Sequence, residues 1–109
     1  MVMLQINFDY DISEEELRAR STPERAQIML TVPGLLWKIW IRDPERRESG
    51  GIYYFASRAD AEAYVNGPIV AALRAGPNVG AFSTKIFDVR EEVSRVTRAP
   101  IDAPVAAGR

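Results

Sequence analysis

Residues 33–55 read PGLLWKIWIRDPERRESGGIYYF, and this stretch decides the fold. Two apolar runs, Leu35 to Arg42 and Ile52 to Ala56, flank a segment from Arg42 to Glu48 in which six of seven residues are charged and Pro44 interrupts. β-Branched and aromatic residues at period two predict strands. Charge of mixed sign predicts a solvated hairpin connection between them. Gly50-Gly51 marks a bulge or tight turn into the second strand, since neither its position nor its neighbours suit a phosphate cradle. An antiparallel hairpin therefore sits in the middle of the chain.

Working outward, residues 2–10 alternate, with Val2, Leu4, Ile6, Phe8 and Tyr10 on one face, which predicts another strand. Ser13 and Glu16 have capping-box spacing and start a short charged helix. Thr22-Pro23 restarts it, with Ala26, Met29 and Leu30 as the apolar stripe, and Pro33-Gly34 ends it. Beyond the hairpin, Ser57 caps a helix carrying Ala61, Tyr64 and Val65. Asn66-Gly67-Pro68 restarts that helix, and residues 79–89 form a fourth strand. The order is β-α-β-β-α-β, the ferredoxin-like α+β arrangement: a four-stranded antiparallel sheet with helices on one face. Residues 1–98 are expected to form one domain. Residues 99–109 have little apolar bulk and are expected to be a flexible or partner-draped tail.

Sorted by content, the helix-packed face holds Leu4, Ile6, Phe8, Trp37, Ile39, Ile52, Phe82 and Ile86. The other face then holds Met3, Gln5, Asn7, Leu36, Lys38, Trp40, Tyr53, Phe55, Lys85 and Phe87. An uncovered face bearing Met3, Leu36, Trp40, Phe55 and Phe87 is too apolar for a monomer. It is expected to meet a second copy, giving a homodimer in which two sheets close into a barrel.

Absences bound the chemistry. With neither cysteine nor histidine among 109 residues, thiolate metal sites, disulfides, Ser–His–Asp chemistry and a His-ligated haem are excluded. No metal and no cofactor are expected, since no G-x-G-x-x-G fingerprint occurs either. Fourteen basic against fifteen acidic residues give a net charge of −1, without the electrostatic footprint of a nucleic-acid partner. No apolar run is long enough to span a bilayer, and MVMLQINFDY has no signal-peptide pattern, so no membrane partner and a cytoplasmic location are expected.

Four stretches carry a resemblance: Pro33-Gly34-Leu35-Leu36-Trp37-Lys38-Ile39-Trp40, Gly50-Gly51-Ile52-Tyr53-Tyr54-Phe55, Ala63-Tyr64 and Lys85-Ile86-Phe87-Asp88-Val89. Over about residues 2–98 the chain resembles the YdhR-like mono-oxygenases, a family of dimeric α+β barrels related to the antibiotic-biosynthesis monooxygenases. The resemblance implies oxygen insertion into a small aromatic or polyketide-like molecule without haem, flavin or metal. The alternatives on this scaffold are a non-catalytic dimer that binds a small hydrophobic ligand, and an isomerase or cyclase. The Asn, Trp and Tyr set of related proteins has no match in spacing here, so no catalytic residue is carried over. For substrate binding the residues offer Phe8, Trp37, Tyr54 and Tyr64 on the helix side, and Asn7, Lys38 and Tyr53 on the other. Lys38 and Lys85 are expected to stretch to solvent at the rim or to pair with Asp or Glu of the partner copy; the alternative is a partly buried lysine that stabilises an anionic intermediate.

Overall fold

β1 (Val2–Tyr10) is the strand around which the sheet assembles. It pairs antiparallel with β3 (Glu48–Phe55) on one side and β4 (Val79–Asp88) on the other, and β2 (Leu35–Asp43) completes the sheet outside β3. This computed structural model describes residues 1–102. α1 (Glu14–Arg20), α2 (Pro23–Ala26) and a 3-10 helix (Gln27–Thr31) link β1 to β2, while α3 (Arg58–Val65) and α4 (Pro68–Arg74) link β3 to β4. The arrangement is the ferredoxin-like β-α-β-β-α-β fold.

The helix boundaries follow local chemistry. Ser13 accepts from the Glu16 amide at 3.1 Å, Thr22 from Arg25 at 3.3 Å and Ser57 from Asp60 at 3.1 Å. Each cap satisfies an amide that the helix start would otherwise leave unpaired. Pro68 opens α4 because its missing N–H is one of those orphans.

Side-chain parity is where sequence and structure part. Val2, Leu4 and Ile6 are buried beneath α3 and α4, as their alternation predicts. Leu4 pairs with Tyr53 and Val2 with Phe55, so Tyr53 and Phe55 lie on the helix side. Phe55 is fully buried there and is not an exposed interface residue. Lys38 pairs with Tyr53 and Trp40 with Gly51, so Lys38 and Trp40 also belong to the helix side. Trp37, Ile39, Ile52 and Tyr54 occupy the opposite face. The cause is a register shift between Leu35 and Trp37, opposite Phe55 and Tyr54, which absorbs Leu36 as a bulge. Leu35 packs against the core, and the chain flips its face one residue later. Leu36 therefore sits in the bulge and not in a flat interface. In β3 both alternating sets are aromatic or aliphatic, so hydropathy carries no parity signal. Leu30, expected on the apolar stripe, is 84% exposed because the 3-10 turn rotates it outward, while Met29 is buried.

Met3 and Phe87 keep their expected place on the face away from the helices, now joined by Trp37, Ile39, Ile52 and Tyr54. The sequence pattern did not predict α5 (Glu91–Val96), which has only Val93 and Val96 as apolar residues, both exposed. After it, Ile101 is buried, and the carbonyls of Pro100 and Ile101 accept from Trp37 Nε1 at 3.0 Å and the Tyr54 hydroxyl at 3.3 Å. Ala99–Asp102 of the expected tail thus lies along this corner of the sheet, and residues 103–109 fall outside the described residues.

Gly34 ties the start of β2 to the junction between β3 and α3. Its φ is +78°, its carbonyl accepts from the Ala56 amide at 2.8 Å, and a Cβ would stand 2.2–2.6 Å from the Asp60 side chain. Gly34→Ala is expected to cost about 1–3 kcal/mol through left-handed strain and the clash. Thermal unfolding should show a Tm lower by roughly 4–8 °C per kcal/mol.

Candidate active site

Gly51 has no side chain where β3 passes beneath Lys38. A Cβ there would lie 2.7 Å from Lys38 Cε and 3.0 Å from the Tyr53 ring, so glycine leaves room for both to turn inward. Lys38 Nζ stands 3.3 Å from the centroid of the Trp40 ring and 4.6 Å from that of Tyr53. No carboxylate pairs with it among the described residues. Burial among these rings lowers its pKa from the ordinary lysine value to about 8. The rings act oppositely, since a cation over an aromatic face is attracted to it. Near neutrality the ammonium is therefore poised, held by π-faces and short of solvent.

This lysine borders a cavity of about 380 Å³ between the sheet and α1. Phe8, Tyr10, Trp40 and Tyr53 supply aromatic walls, and Ile12, Leu17, Leu73 and Val79 supply aliphatic ones. Arg18, Arg20 and Arg42 complete the cationic lining, and among the described residues none of the lining is acidic. The size and mixture suit a small flat molecule with a few oriented polar groups. α1 buries no residue of its own. It is tethered over the cavity by Glu14, which accepts from the Tyr10 hydroxyl and pairs with Arg42. Below the floor, the rings of Tyr53 and Tyr64 lie 5.2 Å apart and those of Phe55 and Tyr64 5.8 Å apart. Burial raises the Tyr53 hydroxyl far above the usual phenol range, and Tyr64 is raised for the same reason. Both stay protonated and serve as donors, never as bases at neutral pH. A second hollow of about 290 Å³, lined by α2, the 3-10 helix and Leu35 to Trp37, shares Lys38 and Trp40 with the first.

The structure brings Phe8, Lys38 and Tyr53 together at one cavity, although the sequence had placed Phe8 opposite the other two. Tyr64 stands behind Tyr53 in the core. Trp37 and Tyr54, expected as helix-side walls, stack on each other at 5.3 Å on the far face, because the bulge turns Trp37 away. Asn7 also lies on that face, accepting from Gln5 Nε2 at 2.8 Å. Sequence reasoning missed Trp40 as a wall and Tyr10, Arg18 and Arg20 as lining. The Ser13 cap and the two arginines of α1 were legible, but their approach to the sheet depends on the tether through Glu14. Among the described residues no group of three or more His, Cys, Asp or Glu side chains could hold a metal ion.

A profile of the family described as Putative mono-oxygenase ydhR matches residues 3–100. No curated protein matches the chain in sequence. Among solved structures, a putative antibiotic biosynthesis monooxygenase from Deinococcus radiodurans superposes with TM-score 0.65 at 13% identity, over 84% of this chain and 94% of that one. SnoaB, a cofactor-independent oxygenase from Streptomyces nogalater, gives 0.62 at 15% identity over 84% and 95%. The heme-degrader MhuD from Mycobacterium tuberculosis, with two hemes bound in its active site, gives 0.59 at 22% over 83% and 97%. At these identities the likeness is one of fold.

Lys38 should leave a signature in stability. Its folded pKa lies below its unfolded one, so the charge burdens the fold fully below about pH 8. That burden is shed as pH rises from about 8 to the ordinary lysine pKa of roughly 10.4. Lys38→Met is expected to be more stable than the wild type by about 1–2 kcal/mol at pH 7, the gain being limited by the lost cation–π contact. The gap should close by about pH 10.5 in paired denaturant titrations; a gap independent of pH would contradict the desolvated lysine.

Proposed function

The chain belongs to the family described as putative mono-oxygenase ydhR, and from that membership we propose that the cavity over Lys38 is the reaction chamber of a cofactor-independent mono-oxygenase acting on a small aromatic or polyketide-like substrate. The observation that carries this reading is an ammonium with no carboxylate partner among the described residues, in an aromatic-walled cavity. A phenolate or enolate settling against Lys38 is stabilised as it forms, in surroundings that strengthen the interaction by excluding water. Phe8, Trp40 and Tyr53 hold the ring flat, and the Tyr53 hydroxyl stays protonated.

The chemistry then needs only substrate and dioxygen. The carbanion-like substrate gives one electron to O2, the two radicals combine into a peroxide, and loss of water leaves a ketone where a CH2 stood. One O2 is consumed, and one oxygen atom enters the product while the other leaves as water. Among the described residues no carboxylate lines the cavity to act as base, and the proton departs to solvent before or during binding. The relative MhuD holds two hemes, but a haem in this chain would find neither histidine nor cysteine as axial ligand.

We further propose that two copies pair through the uncovered sheet face. Ile39 is 50% and Phe87 42% exposed there, beside Trp37, Ile52 and Met3. Apolar side chains gathered and exposed on one sheet face mark an interaction surface.

Oxygen uptake with 1,8-dihydroxyanthrone tests the activity. Lys38→Met is expected to lower turnover about 10²–10³-fold, the range for losing one oxyanion-stabilising group, and Lys38→Arg to keep most of it. The wild-type rate should fall as pH rises through about 8, where Lys38 loses its proton, and the arginine variant should not share that limb. An unimpaired Lys38→Met enzyme would overturn the assignment. For the dimer, sedimentation should give twice the 12.2 kDa chain mass, and Ile39→Glu with Phe87→Glu should give a folded monomer. A monomeric wild type at micromolar concentration would overturn the pairing.

A further inference from the structure

Among the described residues four cationic side chains, Lys38, Arg18, Arg20 and Arg42, line the cavity and no acidic one does, in a chain whose net charge is −1. The excess is therefore local. Arg42 is committed to Glu14 and Arg20 to Glu16, at 3.0 Å in the latter pair, and both acids belong to α1 and stay outside the lining. Lys38 and Arg18 have no carboxylate partner among the described residues. Lys38 is in the strand floor and Arg18 on the helix above it, so the two cations approach the cavity from different elements.

The geometry points to a substrate that carries a second, permanent negative charge: an aromatic carboxylate, its ring held at Lys38, Trp40 and Tyr53 and its carboxylate received by Arg18. This inference rests on the proposed reading of the cavity as an aromatic substrate chamber, and narrows it. A neutral aromatic would satisfy the walls but leave Arg18 with water alone. A carboxylate gains a charge-assisted hydrogen bond there, with the planar guanidinium matched to its two oxygens. The absence of an acid from the lining removes the repulsion that such a ligand would meet in most clefts of a near-neutral protein. It also means that no lining carboxylate competes for either cation.

Calorimetric titration with 2-naphthoate and with 2-naphthamide separates the two ideas, since the pair share ring and shape and differ in charge. At low salt and pH 7 naphthoate is expected to bind at least about tenfold more tightly, with the advantage shrinking as ionic strength rises. Arg18→Gln, at an exposed helix position, should erase most of that preference by weakening naphthoate far more than naphthamide. If the amide binds as well as the acid, or Arg18→Gln leaves the preference intact, the carboxylate inference is wrong and the aromatic chamber stands. If neither compound binds, both fall.

Discussion

The one-residue bulge between Leu35 and Trp37 governs the rest of the structure. Side chains alternate along a strand, so a single extra residue exchanges the faces of everything beyond it. Leu35 enters the core, Leu36 is absorbed, and from Trp37 onward the apolar set of β2 turns away from the helices. What turns inward is Lys38 and Trp40. An edge strand that would otherwise add another hydrophobic row to the core delivers a cation and an indole to the cavity.

Two consequences follow from that inversion. The helix side acquires an under-filled corner: Gly51 contributes no side chain, and Lys38 lies across the gap between the Trp40 and Tyr53 rings. The opposite side acquires Trp37, Ile39 and Ile52, and so becomes more apolar than a solvated sheet face tolerates. Cavity and candidate pairing surface are then two results of the same backbone irregularity. Part of the second face is covered by the chain itself, where Pro100 and Ile101 accept from Trp37 and Tyr54.

Much of this was legible in the amino-acid sequence. The element order, the caps at Ser13, Thr22 and Ser57 and the stop at Pro33-Gly34 rest on short-range chemistry, and the structure has them. The faces of β1 and β4 were also readable, because polar and apolar residues alternate in β1 and Phe82 and Ile86 mark one side of β4. β2 misled because its cleanest apolar set, Trp37, Ile39 and Ile41, faces away from the helices. β3 offered no parity signal, since Ile52, Tyr53, Tyr54 and Phe55 are all large. A bulge leaves no mark in hydropathy, and so the sequence marks Lys38 and Tyr53 as candidates but puts them on the wrong side. The cationic lining from α1 depends on how Glu14 ties that helix to Tyr10 and Arg42, a tertiary fact that no local pattern encodes.

The account turns on Lys38 being an ammonium desolvated among aromatic rings, and the chain makes this directly observable because it contains only two lysines, Lys38 and Lys85. Carbon-13 NMR of the lysine Cε resonances across pH 6–12, with Lys38→Met to assign the two signals, follows each titration separately. The account predicts a Lys38 midpoint near pH 8, with ring-current-shifted resonances from Trp40 and Tyr53. A midpoint at the ordinary lysine value of about 10.4, with unshifted resonances, would place Lys38 in solvent and contradict it.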